Sequence, residues 1–252
     1  MRFDEKKILI TGASRGIGRA TAIAFAIAGA TVGINYRSNE NAANKTLSLL
    51  KNNDHKLFRA DVSDPNEAKD LINDFVAEYG RIDILINNAG IVIKHDIDTV
   101  DYDEWQRCWN DIIRTNLTAV ANLCYCAAHH MMKAGGGRIV NVSSRGAFRG
   151  EPDMPAYGAS KAALNSLSQS LAKKLAKHKI YIAAIAPGFT ETDMGLDNIT
   201  EAEKHLLLKE TPFQRMATAE EVAHSIMFLA SEGAEYNTGA ILDINGASYL
   251  RS

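Results

Sequence analysis

Short apolar runs alternate with segments of helix length along nearly the whole chain, and no other property of the sequence limits its fold as severely. The runs are Lys7 to Thr11, Thr31 to Tyr36, Lys56 to Val62, Ile82 to Asn87, Arg138 to Ser144, Lys179 to Ala186 and Gly239 to Ile244. Each is short enough for a buried strand. Between them lie Gly16 to Gly29, Glu40 to Lys51, Pro65 to Tyr79, Asp103 to Lys133, Ala156 to His178 and Ala219 to Ser231, each long enough for a right-handed helical crossover. Such crossovers return every strand parallel to the last and bury it on both faces. The expectation is an α/β fold: a doubly wound parallel sheet of seven strands flanked by helices, with residues 1–252 forming a single domain.

Within Asp103 to Lys133, the residues Trp105, Trp109, Ile112, Ile113, Leu117, Val120, Leu123 and Cys124 recur every three or four positions, as on a core-facing helix. Gly135-Gly136-Gly137 reads as a helix stop rather than a domain boundary. Phe189 to Thr211 is the least regular stretch, placed where a segment covering substrate is expected.

Charge and composition narrow the partners. Twenty-eight basic and thirty acidic residues leave a net charge of −2 over 252 residues, with 46% hydrophobic and 23% charged side chains. This is an ordinary globular balance, without the basic excess that nucleic acid or anionic lipid demands. The longest charge-free stretches, Ala20 to Tyr36 and Thr115 to Met132, are interrupted by Gly29, Gly33, Asn116, Asn122 and His129-His130, so neither reads as a membrane span. The first residues lack the apolar core of a secretory leader, and Cys108, Cys124 and Cys126 have no metal-ligand spacing. A cytoplasmic protein without a bound metal is expected.

The first run leads into Thr11-Gly12-Ala13-Ser14-Arg15-Gly16-Ile17-Gly18 at a helix start. Glycines there permit a tight turn and close backbone approach to a pyrophosphate, and the free N–H groups of a helix start favour an anion. Gly12, Ser14, Arg15, Gly16, Ile17 and Gly18 are therefore candidate cofactor residues. About 20 residues on, where a carboxylate would hold an adenosine ribose 2′-hydroxyl, the chain reads Asn35-Tyr36-Arg37-Ser38. Arg15 and Arg37 offer guanidinium groups to a 2′-phosphate, so NADP(H) is expected ahead of NAD(H).

Ala156-Tyr157-Gly158-Ala159-Ser160-Lys161 sets a phenol and an ammonium at i and i+4, on one helix face. A neighbouring cation favours a phenolate, so the pair is expected to act as acid and base with a lowered tyrosine pKa. Ser144 closes the run Arg138 to Ser144, which puts its hydroxyl at the carboxyl edge of a parallel sheet. Ser143 beside it would face the opposite side, as adjacent strand residues do.

Thr-Gly-x3-Gly-x-Gly, Asn87-Asn88-Ala89-Gly90, Ser144, Tyr157-x3-Lys161 and Pro187-Gly188, in this order, resemble the short-chain dehydrogenase/reductases over essentially the whole chain. The resemblance implies a Rossmann-type domain and a homotetramer. It implies that Tyr157 donates a proton to a substrate carbonyl, that Ser144 holds and polarises that carbonyl, and that Lys161 binds the nicotinamide ribose. Asn116 matches the asparagine that supports a water relay to the lysine. Asp61-Val62 resembles the pair at the adenine, Asn88-Ala89-Gly90 the stretch beside the ribose, and Pro187-Gly188-Phe189-Thr190 the turn against the nicotinamide. The alternative is a plain turn former for Asp61 and a chain reversal for Pro187-Gly188.

Within the family, Thr211-Pro212-Phe213-Gln214-Arg215, Ala219 to Ala223, Phe228 to Ser231 and Thr238-Gly239 are most similar to the β-ketoacyl-acyl carrier protein reductases. That similarity implies NADPH-dependent reduction of a 3-oxoacyl thioester on a carrier protein. Gly135 stands where a docking base is often found, and Asn245-Gly246-Ala247 departs from the usual Asp-Gly-Gly; Lys133, Lys177 and Lys179 are the alternative docking patch. A dehydrogenase of a sugar, polyol or other secondary alcohol is the competing reading, and a non-catalytic nicotinamide sensor a third. Lys94 to Asp98, Arg145 to Pro155 and Thr190 to Thr211 are expected to line the substrate pocket.

Overall fold

The computed structural model describes residues 1–51, 54–192 and 201–251. Its strands are β1 (Lys7–Ile10), β2 (Thr31–Tyr36), β3 (Lys56–Arg59), β4 (Ile84–Asn87), β5 (Gly137–Val142), β6 (Ile180–Pro187) and β7 (Ile241–Ile244). They form one sheet in the order β3-β2-β1-β4-β5-β6-β7, and every pairing is parallel. Period-two alternation divides the strand side chains between two cores. Ile8, Ile10, Ile84, Ile86, Val140 and Val142 enter one, while Leu9, Leu85 and Ile139 enter the other.

Helices α1 (Gly16–Ile27) and α9 (Ala219–Ala230) close the first core with Phe25, Val222 and Ile226. Helices α3 (Pro65–Tyr79), α5 (Ala119–Ala134) and α7 (Pro155–Leu175) close the second with Phe75, Leu123 and Leu164. Each fully buried side chain of this size contributes roughly 1.5–3 kcal/mol. Strand order reverses between β1 and β4, which leaves a crevice at the carboxyl ends of the strands, where ligands of doubly wound sheets bind.

Several boundaries differ from the periodicity, among them the end of β5 at Val142, two residues before Ser144. The run Lys56 to Val62 ends as strand at Arg59. There the Asp61 N–H turns to the Glu67 carboxylate (2.7 Å) and Asp64 caps α3 through Asn66 and Glu67. The segment Asp103 to Lys133 is not one α-helix: α4 (Tyr102–Ile113) passes through a π-turn at Arg114–Thr118 into α5. Phe189 to Thr211 contains helix α8 (Glu201–Glu210), hidden because Leu206-Leu207-Leu208 gives no spaced stripe; residues 193–200 of that stretch lie outside those described. Two further helices, α2 (Glu40–Leu49) and the short α6 (Gly146–Arg149), complete the elements used below.

Candidate active site

The turn after β1 is built from backbone. Gly12 and Gly16 have φ of +63° and +54°, in the left-handed region that glycine tolerates. A Cβ on Gly18 would stand 2.5 Å from the Gly12 carbonyl and 2.6 Å from Asn88 Nδ2, so only a bare backbone packs there. Asn88 Nδ2 donates to the carbonyls of Thr11 (2.9 Å) and Gly12 (3.1 Å), while the N–H groups of Asn88 and Ala89 donate to Thr11 Oγ1. The turn after β4 is thereby clamped to the turn after β1. Arg19 and Thr46 pin the Ser14 carbonyl from the far side.

Helix α1 starts without a side-chain cap and without an acid in its first turn, whereas α2, α3, α4 and α9 have both. Uncapped N–H groups beside close-packed glycine suit a pyrophosphate, so this turn fits a dinucleotide. At the end of β2, Arg37 Nη1 is 3.9 Å from Asp61 Oδ2 and Arg59 Nε reaches the Arg37 carbonyl at 3.4 Å. Arg59 pairs in register with Tyr36, and the spacing rules for such turns gave no reason to single it out. Asp61 also accepts from the Ser63 N–H and hydroxyl, as a turn former does, and Val62 is buried in the second core.

The other half of the crevice is built from side chains. Just beyond β5, Ser143 and Ser144 face apart: Ser143 Oγ donates to the Lys161 carbonyl (3.3 Å), while Ser144 hydrogen-bonds the Tyr157 hydroxyl and accepts from the Gly146 N–H (3.0 Å). Lys161 is buried with Nζ donating to the Val142 carbonyl (2.9 Å), 5.7 Å from the Tyr157 ring centre. Asn116, in the π-turn, donates to the Ile91 carbonyl (2.9 Å) and accepts from the Ile91 N–H (2.8 Å). A Cβ on Gly90 would lie 3.2 Å from Asn116 Oδ1 and 3.6 Å from Lys161 Nζ, so these three positions converge.

At the end of β6, the Pro187 carbonyl accepts from the Arg145 N–H (2.9 Å) and Gly188 packs against Asn245, with Thr190 buried behind it. The proposed nicotinamide turn therefore borders the loop that carries Ser144.

Burial sets the protonation states. Removal from water pulls Lys161 down to about 8 and pushes Tyr157 up, with the Ser144 hydrogen bond opposing and the Glu151 charge reinforcing the rise. The lowering expected from the lysine is overturned here, because burial of the phenol disfavours its charged form, and the Lys161 ammonium donates to the Val142 carbonyl. Tyr157 is a protonated phenol at neutral pH, the form a proton donor needs.

This geometry can be set beside known proteins. Residues 12–247 match the family model described as enoyl-(acyl carrier protein) reductase. The chain is 38% identical over 250 residues to the 3-oxoacyl-[acyl-carrier-protein] reductase FabG of Escherichia coli (strain K12), covering 99% of this chain and 100% of the relative. It is 35% identical over 247 residues to that of Staphylococcus aureus (strain N315), covering 97% and 98%. The chain is a short-chain dehydrogenase/reductase. The solved structure of gox2181 superposes with a TM-score of 0.91 at 28% identity, covering 98% of this chain and 96% of the other. A dehydrogenase/reductase from Sinorhizobium meliloti 1021 gives 0.90 at 28%, covering 99% and 97%.

The protein is accordingly an oxidoreductase of a nicotinamide-dependent family, similar to 3-oxoacyl-acyl carrier protein reductases. No helix among the described residues is long and apolar enough to cross a membrane. Two features depart from the expectations for the substrate side of this reductase. Arg145, directly after Ser144, is buried over the Phe189 ring and bonds Ser248 (2.7 Å) and Glu210 (3.2 Å), and Arg149 shares the same Glu210 carboxylate (2.8 Å). These partners are 61 to 103 residues apart, beyond any local pattern. Secondly, Lys179 and Gly137 pair at the amino ends of β5 and β6. The Lys177 and Lys179 patch therefore lies a strand length from the crevice, on the order of 20 Å.

Proposed function

We propose that this reductase uses NADPH to reduce the ketone of a 3-oxoacyl thioester to the 3-hydroxyacyl thioester, as in fatty-acid synthesis, with Tyr157 as general acid. The observation that carries the reading is the hydrogen-bonded Ser144–Tyr157 pair above a buried Lys161. It sits in a chain similar along its whole length to 3-oxoacyl-acyl carrier protein reductases. The nicotinamide, when bound, supplies the hydride to the carbonyl carbon. Ser144 holds the carbonyl oxygen and Tyr157 transfers its proton to that oxygen as charge develops. Lys161 would hold the nicotinamide ribose, and its charge stabilises the phenolate left after transfer. Asn116 holds Ile91 and with it the backbone beside Gly90, where the ribose would lie.

Gly12, Ser14, Gly16, Ile17 and Gly18 would cradle the pyrophosphate, with Arg15, Arg37 and neighbouring Arg59 toward the 2′-phosphate. Asp61 and Val62 would lie toward the adenine, Asn88, Ala89 and Gly90 along the ribose, and Pro187, Gly188 and Thr190 against the nicotinamide. We read the chain as a cytoplasmic homotetramer of one domain each, acting on carrier-bound substrate without nucleic acid or membrane; sedimentation of the purified protein tests the assembly.

A second reading has its own support. The charged group Arg145, Arg149, Glu151 and Glu210 flanks the Ser144 loop, a wall better suited to a sugar, polyol or small hydroxy compound than to an acyl chain. Loss of NADPH absorbance with an acetoacetyl thioester, on carrier protein and as a free thioester, is compared with a panel of ketones and sugars. Rapid turnover of the thioester with NADPH but not NADH supports the first reading. Silence there with turnover of a sugar or ketone moves the substrate and leaves the catalytic group intact.

A further inference from the structure

The helix that carries Tyr157 begins without a cap of its own. Met154 precedes α7 and offers no side-chain bond, and Pro155 has no N–H. The first N–H in need of a partner is that of Ala156, immediately before Tyr157. It donates to Nε2 of His95 (3.2 Å), which comes from the loop after β4, 61 residues away.

His95 is fully buried, with the Trp105 ring edge-on at 5.5 Å. Its Nδ1 meets the Ile93 carbonyl at 2.8 Å, and its own N–H donates to the Asp153 carbonyl (2.8 Å). The Ile93 carbonyl accepts from Nδ1 and the Ala156 N–H donates to Nε2, so these two ring contacts assign one tautomer: the proton on Nδ1, a bare acceptor at Nε2. The same loop is gripped at its start by Asn116 through Ile91. One short segment therefore links the π-turn at one end to the first turn of α7 at the other.

We infer that His95 is a positioning residue for the reduction: its Nε2 caps α7 from outside the helix and fixes the first turn, so that the Tyr157 hydroxyl is held at Ser144. His95 touches neither substrate nor cofactor. The inference rests on Tyr157 being the proton donor, and misplacement of such a group by about 1 Å costs on the order of a hundredfold in rate.

The amide of asparagine overlays Nδ1, and that of glutamine overlays Nε2. His95→Asn keeps the bond to Ile93 and removes the acceptor for Ala156; His95→Gln restores the acceptor; His95→Phe keeps the ring against Trp105 and removes both. For variants whose melting shows a folded protein, kcat is expected to fall about tenfold or more in His95→Asn and His95→Phe and to recover in His95→Gln. NADPH affinity, measured by cofactor fluorescence, is expected to stay at the wild-type value. Either loss variant decides if the other does not fold. Wild-type kcat in a folded loss variant overturns the inference, as does a glutamine variant as slow as the asparagine one, or a loss confined to NADPH affinity. Tyr157→Phe is run alongside: full activity there removes the proton-donor assignment itself, whereas an inactive Tyr157→Phe beside an unimpaired His95→Asn removes only the role of His95.

Discussion

At the turn after β1 the protein dispenses with side chains; at the corner between β5 and α7 it buries polar ones. The first region holds its shape by absence. Gly18 has no room for a Cβ, Gly12 and Gly16 occupy left-handed backbone, and the start of α1 is left uncapped. The second holds its shape by occupation, with Lys161 on Val142, Ser143 on the Lys161 carbonyl, Asn116 on Ile91 and His95 on Ala156. An anion needs many small donors at close range, which backbone supplies. Proton transfer needs one group at one place, which only a side chain locked by its neighbours supplies.

The strongest test of this contrast is Tyr157→Phe, which removes one oxygen from the occupied region. Turnover should fall by at least about a thousandfold while NADPH still binds, as measured by steady-state rates and cofactor fluorescence. Substantial residual reduction would dissolve the distinction between a positioning half and a reacting half.

Lys161 offers the next largest effect. Burial holds its folded pKa near 8, against an ordinary 10.5. Between those values the unfolded chain keeps the proton and the folded chain does not, so unfolding takes one up and stability rises with pH across that window. The rise amounts to about 3 kcal/mol in all, present above pH 10.5 and absent below 8. Urea unfolding of the wild type and Lys161→Met near pH 7 and pH 10 should show this rise in the wild type alone. Equal slopes would mean that the ammonium is not desolvated.

In the region of absence, Gly18→Ala should destabilise the protein by about 1–3 kcal/mol and weaken NADPH binding, because the clash is with backbone that cannot turn aside. Thermal melting and cofactor titration read both, and an unchanged Kd would show the cradle to be looser than drawn. The mildest change is Arg37→Ser, expected to lower the preference for NADPH over NADH by about tenfold with kcat unaltered. A preference that survives would transfer the 2′-phosphate to Arg15 and Arg59.

The same contrast explains what could be read in the sequence. Glycine leaves a mark in the chain itself, so the Gly12 to Gly18 turn was legible from spacing and strand context. Tyr157 and Lys161 were legible because four residues on a helix make one face, and the seven strands because alternation assigns Ile8 and Leu9 to opposite cores. His95 and Arg145 fall within stretches expected to line the substrate pocket, yet both are buried, and neither their partners nor the π-turn could be read. Each owes its environment to contacts 25 to 103 residues away, and an isolated histidine or arginine looks the same whether solvated or buried. The lowered tyrosine pKa is overturned for a related reason, since i and i+4 spacing does not say how deeply the phenol will be buried.

The tandem Ser143-Ser144 makes the reductase a register detector. Six consecutive pairs hold β5 against β6, from Gly137 with Ile180 to Val142 with Ile185. Deletion of Ser143 would move Ser144 into the place that bonds the Lys161 carbonyl and Arg145 into the place that meets the phenol, with the β5–β6 pairs upstream untouched. The grip on the helix backbone would survive while the phenol lost its serine, so turnover is expected to suffer more than the melting temperature.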